Sequence, residues 1–409
     1  VSASGVSKSF LGATGEQWAL IAALPLNQAV NIALFPVVGP FRASFGLNYS
    51  GLGLVLAAYG LARFAGDVPA GILIRRVPLR AALLAALFAN LAASLGPLAA
   101  TAVWQVAAAR VIQGVASSVA QAAILAWLII GAQQGRRGHV MALSEVLFSV
   151  VGLIVPLGSG ALAALLSWRA AYVSGAAAAA IACAAILAGT RAVDAPTTRA
   201  ADGAAAGRSA LRRTLLTGGG ALLAGYLLAF VAAFSRFGML NTLLPVIGSD
   251  QIGLSPVQVG FGLTLANVAG IVTVMIGGWA GDRFGRRRLA APGVLVLLAC
   301  QASLFLAGDP VVYFVAVTAQ GAAYFMNSFP TSLVGDALPT HLRTIGVAGY
   351  RLVVDAAVLL APLAVGGMSD WAGFDAAKAL TVGVTIAILA AVLVCTRRPA
   401  SASLVASPT

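Results

Sequence analysis

"GGWAGDRFGRRRLA", residues 277–290, gathers Asp282, Arg283, Arg286, Arg287 and Arg288 into one short stretch of a chain in which only 9% of residues are charged. The cluster follows directly on an apolar run. About 207 residues earlier, "GILIRRVPLR" (71–80) stands in the same setting but lacks the aspartate. Of the 409 residues 60% are apolar, and mean hydropathy is +0.96. Soluble domains run nearer about 45–50% apolar and ~25% charged. The excess is a fold-class statement: this chain belongs in a bilayer.

The apolar residues fall in stretches at or above the ~20 needed to span a hydrocarbon core as a helix. They are rich in Ala and Leu and do not alternate, so helices rather than barrel strands satisfy their backbone groups. Spans are expected at roughly 17–40, 50–74, 81–99, 103–131, 139–165, 170–189, 216–246, 257–280, 288–307, 310–335, 345–369 and 375–396. Numbering the loops alternately puts eighteen Lys and Arg on one side and three, Arg42, Arg169 and Lys378, on the other. The positive-inside bias then sets both termini in the cytoplasm, with the chain multi-pass in the cytoplasmic (inner) membrane. The net charge of +13 is therefore topological and calls for no nucleic acid. Cys183, Cys300 and Cys395 lie in apolar segments and match no metal spacing, and His139 and His341 are isolated. Neither a metal nor an organic cofactor is expected. With no nucleophile beside a base, an enzyme is not expected either.

The chain is written twice. "FGLNYSGLGLVL" (45–56) answers "IGLSPVQVGFGL" (252–263), and "ALFPVV" (33–38) answers "TLLPVI" (242–247). Gln113–Gly114 stands over Gln320–Gly321, and Pro156 over Pro362. A fixed-offset match between two sets of six helices indicates duplication. The expected organisation is a six-helix half over 1–189, a basic, Ala/Gly/Thr-rich cytoplasmic linker over 190–215, a second half over 216–396 and a tail over 397–409. Two such halves around a midplane site are a design of secondary transporters.

"GGWAGDRFGRR" resembles the loop motif G-x-L-a-D-R-x-G-R-R of the major facilitator superfamily. Gly278, Asp282, Arg283, Gly285, Arg286 and Arg287 match it, while Ala280 replaces its Leu. The first copy keeps Gly71, Leu73, Arg76 and Arg80, but Arg75 replaces the Asp and Pro78 the Gly. R-x-x-Q-G of the fourth helix is matched by Arg110, Gln113 and Gly114. The Gly/Pro-rich fifth helix of antiporters is matched in part by Gly152, Pro156 and Gly160. "SWRAAY" (167–172) is also similar to the family. The resemblance covers the whole chain and implies an all-α membrane protein of twelve helices, its two six-helix halves related by a pseudo-twofold. It implies alternating access for a small-molecule substrate, in the drug and metabolite efflux-like branch, by a monomer.

Charges inside the spans cost from ~3 kcal/mol upward each, so their default reading is functional. Arg63 and Asp67 stand i,i+4 in segment two, and Arg351 and Asp355 in segment eleven. Counted inward from Arg75 and Arg343, Asp67 and Arg351 lie about 8 residues deep, or ~12 Å. Arg63 and Asp355 lie about 12 residues deep, or ~18 Å. The two segments run in opposite directions and, by the resemblance, face each other. A four-charge gate of Asp67 with Arg351 and Arg63 with Asp355 is expected, the alternative being two separate intrahelical pairs. At the cytoplasmic surface Asp282 is placed to latch the positive end of helix five, beside Arg283, Arg286 and Arg287. A solvated, topology-setting turn is the alternative there. Asp67, Glu145 and Asp355 are the acids within the spans and the candidate proton carriers.

By the resemblance, segments one, four, seven and ten line the cavity. They supply Asn27, Gln28 and Asn31; Arg110 and Gln113; Arg236 and Asn241; and Tyr324, Phe325, Asn327 and Ser328. A mostly apolar site with a few placed polar groups suits a small organic solute. Proton-coupled efflux by antiport is the expectation. Uptake of an organic anion by symport or exchange is the alternative, favoured by Arg110 and Arg236.

Overall fold

The computed structural model describes residues 14–131, 137–190, 219–306, 308–338 and 343–397, which form helices and the turns between them, with no strand among the described residues. Ten helical stretches are long and apolar enough to cross a membrane. In chain order we number α1 (Gly15–Ser44), α2 (Tyr49–Leu73), α3 (Leu79–Ala99), α4 (Val103–Gly131), α5 (Arg137–Leu165) and α6 (Trp168–Gly189). Then come α7 (Gly220–Gln251), α8 (Pro256–Phe284) and α9 (Arg286–Ala302). The stretch α10 (310–337) is α-helical at both ends with a 3-10 turn, Ala323–Ser328, between. The run Arg343–Arg397 breaks at Gly373, where φ is 83°, into α11 (343–372) and α12 (374–397). Counting α10 and both sides of that break brings the ten to the twelve expected. The linker and tail, apart from Thr190 and Arg397, lie outside the described residues, as does His341.

Helix starts are written into local chemistry. Thr14 and Gln17 form a capping box at α1, with N···O distances of 3.0 and 3.3 Å. At α2 the Asn48 side chain accepts from the Gly51 N–H at 2.8 Å. At the equivalent place in the second half, Ser255 and Gln258 cap α8 reciprocally, at 2.8 and 3.4 Å. Each cap is preceded by a glycine in the left-handed region, Gly46 (φ 60°) and Gly253 (φ 77°), a conformation that a Cβ disfavours. The repeat thus extends to backbone dihedral angles.

The described residues group into two compact units. One comprises residues 14–190 with Leu244–Asn267, the other 219–243 with 268–397. In the first unit the core joins Leu20, Ile21 and Leu24 of α1 to Leu83 and Leu87 of α3, Ile124 and Trp127 of α4 and Ile186 of α6. In the second, Leu228 and Val231 of α7 meet Val294 and Leu297 of α9, Met326 and Phe329 of α10 and Val392 of α12. The same four helices of each repeat build each core. Leu54, Ile154, Met275 and Val394 are exposed and as apolar as anything inside. Such an outer surface suits hydrocarbon, where burial of apolar area no longer drives helix association and close packing must.

Close packing is supplied by small residues. A Cβ on Gly114 of α4 would press into the α2 backbone at Tyr59 and the Ala62 methyl. Between α5 and the start of α8, a Cβ on Gly160 would meet the Pro256 carbonyl and one on Gly260 the Pro156 carbonyl, while Thr264 Oγ1 donates to the Leu153 carbonyl at 3.0 Å. At the end of α1, Arg42 grips Asp250 of α7 at 2.7 Å and lies over the Tyr49 ring at 4.7 Å. Being partly exposed, that ion pair contributes about 0–1 kcal/mol.

Candidate functional site

The first unit holds a buried polar layer. Arg110 of α4 is 1% exposed, donates from Nη2 to Asn31 Oδ1 at 2.6 Å and lies over the Tyr59 ring at 4.8 Å. Its Nε and Nη1 have no hydrogen-bond partner among the described residues. One turn on, Gln113 Nε2 donates to Ser94 Oγ and to the Ala93 carbonyl, both at 3.4 Å. Asn90 Nδ2 donates to Asn27 Oδ1 at 2.6 Å and to Ser117 Oγ at 3.5 Å, tying α3 to α1 and α4. Gln28 Oε1 accepts from Tyr59 Oη at 3.2 Å and from Arg63 Nη1 at 3.4 Å.

The second unit places its polar groups differently. Within α7, residues Ser235–Leu243 coil as a π-helix, a wider turn found mostly as short insertions and often at functional sites. Arg236 stands on this turn with its guanidinium 4.8 Å from the Tyr324 ring centre. Tyr324 lies flat against α8, where a Cβ on Gly270 would collide with its ring. Gln301 Nε2 donates to Ser235 Oγ at 3.2 Å, and Ser235 in turn donates to Gln320 Oε1 at 3.5 Å. Arg236, Gln320, Tyr324 and Asn327, with Leu240 and Leu297, line a cleft of about 10 Å³. Asn241 is buried on the same π-helical turn. Phe325 packs edge-on to Phe329 at 5.2 Å and against the core, and the side chain of Ser328 lies outside the described residues.

Of the membrane charges, Arg63 is 9% exposed and donates from Nη2 to Gln121 Oε1 at 3.0 Å. Asp67, one turn along α2, is half-buried. In α11 Asp355 is 1% exposed and Arg351 half-buried. Glu145 sits on an exposed face of α5. At the end of α8, Asp282 and Arg283 are exposed, and the Arg283 guanidinium lies 5.8 Å from the Trp279 ring centre. The backbone then turns at Gly285 into α9; the side chains of Arg286 and Arg287 lie outside the described residues.

The anticipated residues therefore fall into two groups, Asn27, Gln28, Asn31, Arg110 and Gln113 in the first unit and Arg236, Tyr324 and Asn327 in the second. Sequence reasoning passed over Tyr59, Asn90, Ser94, Gln121, Gln301 and Gln320. Part of the signal was present. Ser94 and Gln301 share the repeat offset of about 207 with Gln113 and Gln320, and the pair is joined directly in the first repeat but through Ser235 in the second.

Several solved structures share this fold. A bacterial homologue of the human lysosomal transporter Spinster superposes with a TM-score of 0.79 at 15% identity, over 93% of this chain and 96% of that one. A D-xylose-proton symporter gives 0.74 at 17% identity, over 91% and 96%. A peptide transporter in complex with sulfate gives 0.75 at 13%, over 96% and 97%. No curated protein matches the chain. Its sequence matches the Major Facilitator Superfamily over residues 20–255 and again over 225–408. With both repeats matched, the loop motif of residues 278–287 in place and the fold shared with solved transporters, the chain belongs to the Major Facilitator Superfamily and is a membrane transporter, not an enzyme.

Proposed function

We propose that this transporter exports a small organic solute across the cytoplasmic membrane in exchange for protons, acting as a monomer by alternating access with both termini in the cytoplasm. The observation that carries the direction is the glycine seam between α5 and α8. Of the partial antiporter-like pattern, Gly160 and Pro156 meet Pro256 and Gly260 at backbone distance, and Gly152 meets the Asn267 side chain. The partial match to the antiporters' fifth helix supports exchange, and the close packing of the seam limits the proton leak that wastes any proton-driven cycle. Asp67, Asp355 and Glu145 are the carboxylates we assign to proton coupling. Arg63 and Asp67 with Arg351 and Asp355 form the gate, and Asp282 with its neighbouring arginines the cytoplasmic latch.

The purified protein in proteoliposomes with a trapped pH dye tests this. Lipophilic cations and organic anions, added outside one at a time, should include a solute that moves protons in the opposite direction. Asp67→Asn or Glu145→Gln should abolish the movement. Protons travelling with the solute would overturn exchange in favour of symport. A neighbour named as a D-xylose-proton symporter shares the fold, and the cationic cleft beside Arg236 favours an organic anion as cargo. Symport or exchange of an organic anion is accordingly the second reading.

A further inference from the structure

The two repeats fill one equivalent place in opposite ways. In the first unit Asn27, Asn90 and Ser117 occupy it, and Asn90 Nδ2 donates to both of the others. At an offset of about 207–209 the second unit puts Arg236, Leu297 and Tyr324 there. A cluster of neutral polar groups, in which Asn27 Nδ2 and Asn90 Oδ1 keep no partner among the described residues, is replaced by a cation, an apolar side chain and an aromatic ring. Among the described residues nothing accepts a hydrogen bond from the Arg236 guanidinium, whose contact is the Tyr324 ring.

A second donor sits beside it. Gln320 is 3% exposed, and its Nε2 has no partner among the described residues. The orientation of that amide follows from its neighbours. Gln301 Nε2 donates to Ser235, the single Ser235 proton is thereby directed to Gln320 Oε1, and the amide nitrogen of Gln320, a residue that lines the cleft, is left without a partner among the described residues. A guanidinium and an amide N–H₂ line the same cleft, which has a volume of about 10 Å³. That is roughly the room one water needs, so it admits the oxygen end of one head group rather than a whole solute.

We infer that this cleft in the second unit is the seat for a carboxylate of the transported solute. Arg236 and Gln320 donate to its oxygens, Tyr324 holds the guanidinium plane in place, and the rest of the solute stays outside the cleft. The chemistry selects for charge. Arginine offers parallel N–H groups matched to carboxylate geometry, and in a water-poor site an uncompensated guanidinium repels a cationic head group. A neutral amide isostere supplies an acceptor without the countercharge. At the repeat position the first unit carries two amides and a hydroxyl but no cation, so it offers no countercharge to a carboxylate there. The inference rests on the transport reading above and assigns its substrate class.

Binding to the detergent-purified chain tests it apart from transport. Thermal shift and calorimetry would compare linear and aromatic monocarboxylates with their primary amides and primary amines, with inorganic phosphate as the non-carboxylate anion. At least one carboxylate should bind ten-fold or more tightly than its amide and amine, and phosphate should not compete. Arg236→Gln should erase that preference, Arg236→Lys should retain part of it, and Gln320→Glu should remove it by neutralising Arg236. If Arg236→Gln fails to fold, Gln320→Met carries the test, with an expected several-fold loss for carboxylates alone. Equal binding of carboxylate and amide, absence of any carboxylate-selective ligand, competition by phosphate, or a preference indifferent to both positions would each overturn the inference. Arg236-dependent carboxylate binding without proton movement in proteoliposomes would support the seat and remove proton coupling. Proton exchange driven by lipophilic cations alone would support the exporter and remove the seat.

Discussion

Arg110 holds a full charge about two turns into α4 on limited compensation. It has one acceptor, Asn31 at 2.6 Å, one aromatic face, Tyr59 at 4.8 Å, and two guanidinium nitrogens without a partner among the described residues. Placing an arginine at that depth costs from ~3 kcal/mol upward. A charge-assisted hydrogen bond returns about 1.5–3 kcal/mol, and a desolvated cation–π contact up to about 2 kcal/mol. The gains are of the same order as the cost even before the two unpartnered nitrogens are counted, so stability gives the side chain no clear net benefit. Replacing a buried charge by an apolar group of similar volume is often neutral or stabilising. Arg110→Met is therefore expected to leave the melting temperature of the purified protein unchanged or raise it by a few degrees, while transport falls at least ten-fold. A melting temperature several degrees lower would assign Arg110 to structure instead.

At the scale of elements, the α5–α8 seam grades its own tolerance. At Gly160 an added Cβ meets the fixed Pro256 carbonyl, whereas at Gly152 it meets the far end of the Asn267 side chain at 3.1 Å. A backbone carbonyl in a helix cannot step aside; a side-chain amide can change rotamer. Gly160→Ala is expected to lower the melting temperature by several degrees and to raise the passive proton leak of proteoliposomes. Gly152→Ala should change neither by more than a fraction of that. Equal effects from the two would show that the seam is not held by backbone contact. The glycines were visible in the sequence as a partial motif. Which of them touch a backbone was not, because that depends on the rotation of two helices far apart in the chain.

For the whole molecule, the decisive proposal concerns Asp67 and Arg351, which belong to different repeats. If the gate joins Asp67 to Arg351, Asp67→Arg and Arg351→Asp should each abolish transport, and the double exchange should restore a measurable share of it. Two independent intrahelical pairs predict no recovery, because each exchange would then set like charges side by side on its own helix. Transport assayed in proteoliposomes with the four variants separates these outcomes, with expression and melting temperature as controls for folding.

What the sequence determined by itself was everything carried by one-dimensional pattern. Apolar stretches of spanning length, the arginine bias and the duplicated signatures at 71–80 and 277–290 sufficed for twelve helices in two repeats. The capped starts of α2 and α8 are equally local, since a cap engages residues three positions away. Tertiary structure alone decided which polar residues are satisfied. Asn27 and Arg236 stand at equivalent places in the repeat, yet Asn27 Oδ1 accepts from Asn90 while Arg236 faces Tyr324 and a small cleft. That difference is made by side chains on two other helices of each repeat, Asn90 against Leu297 and Ser117 against Tyr324, whose meeting depends on packing in three dimensions. The same reason hid Gln320, which reads in the sequence as half of a repeat match and becomes a donor beside the cleft only once Ser235 and Gln301 are folded beside it.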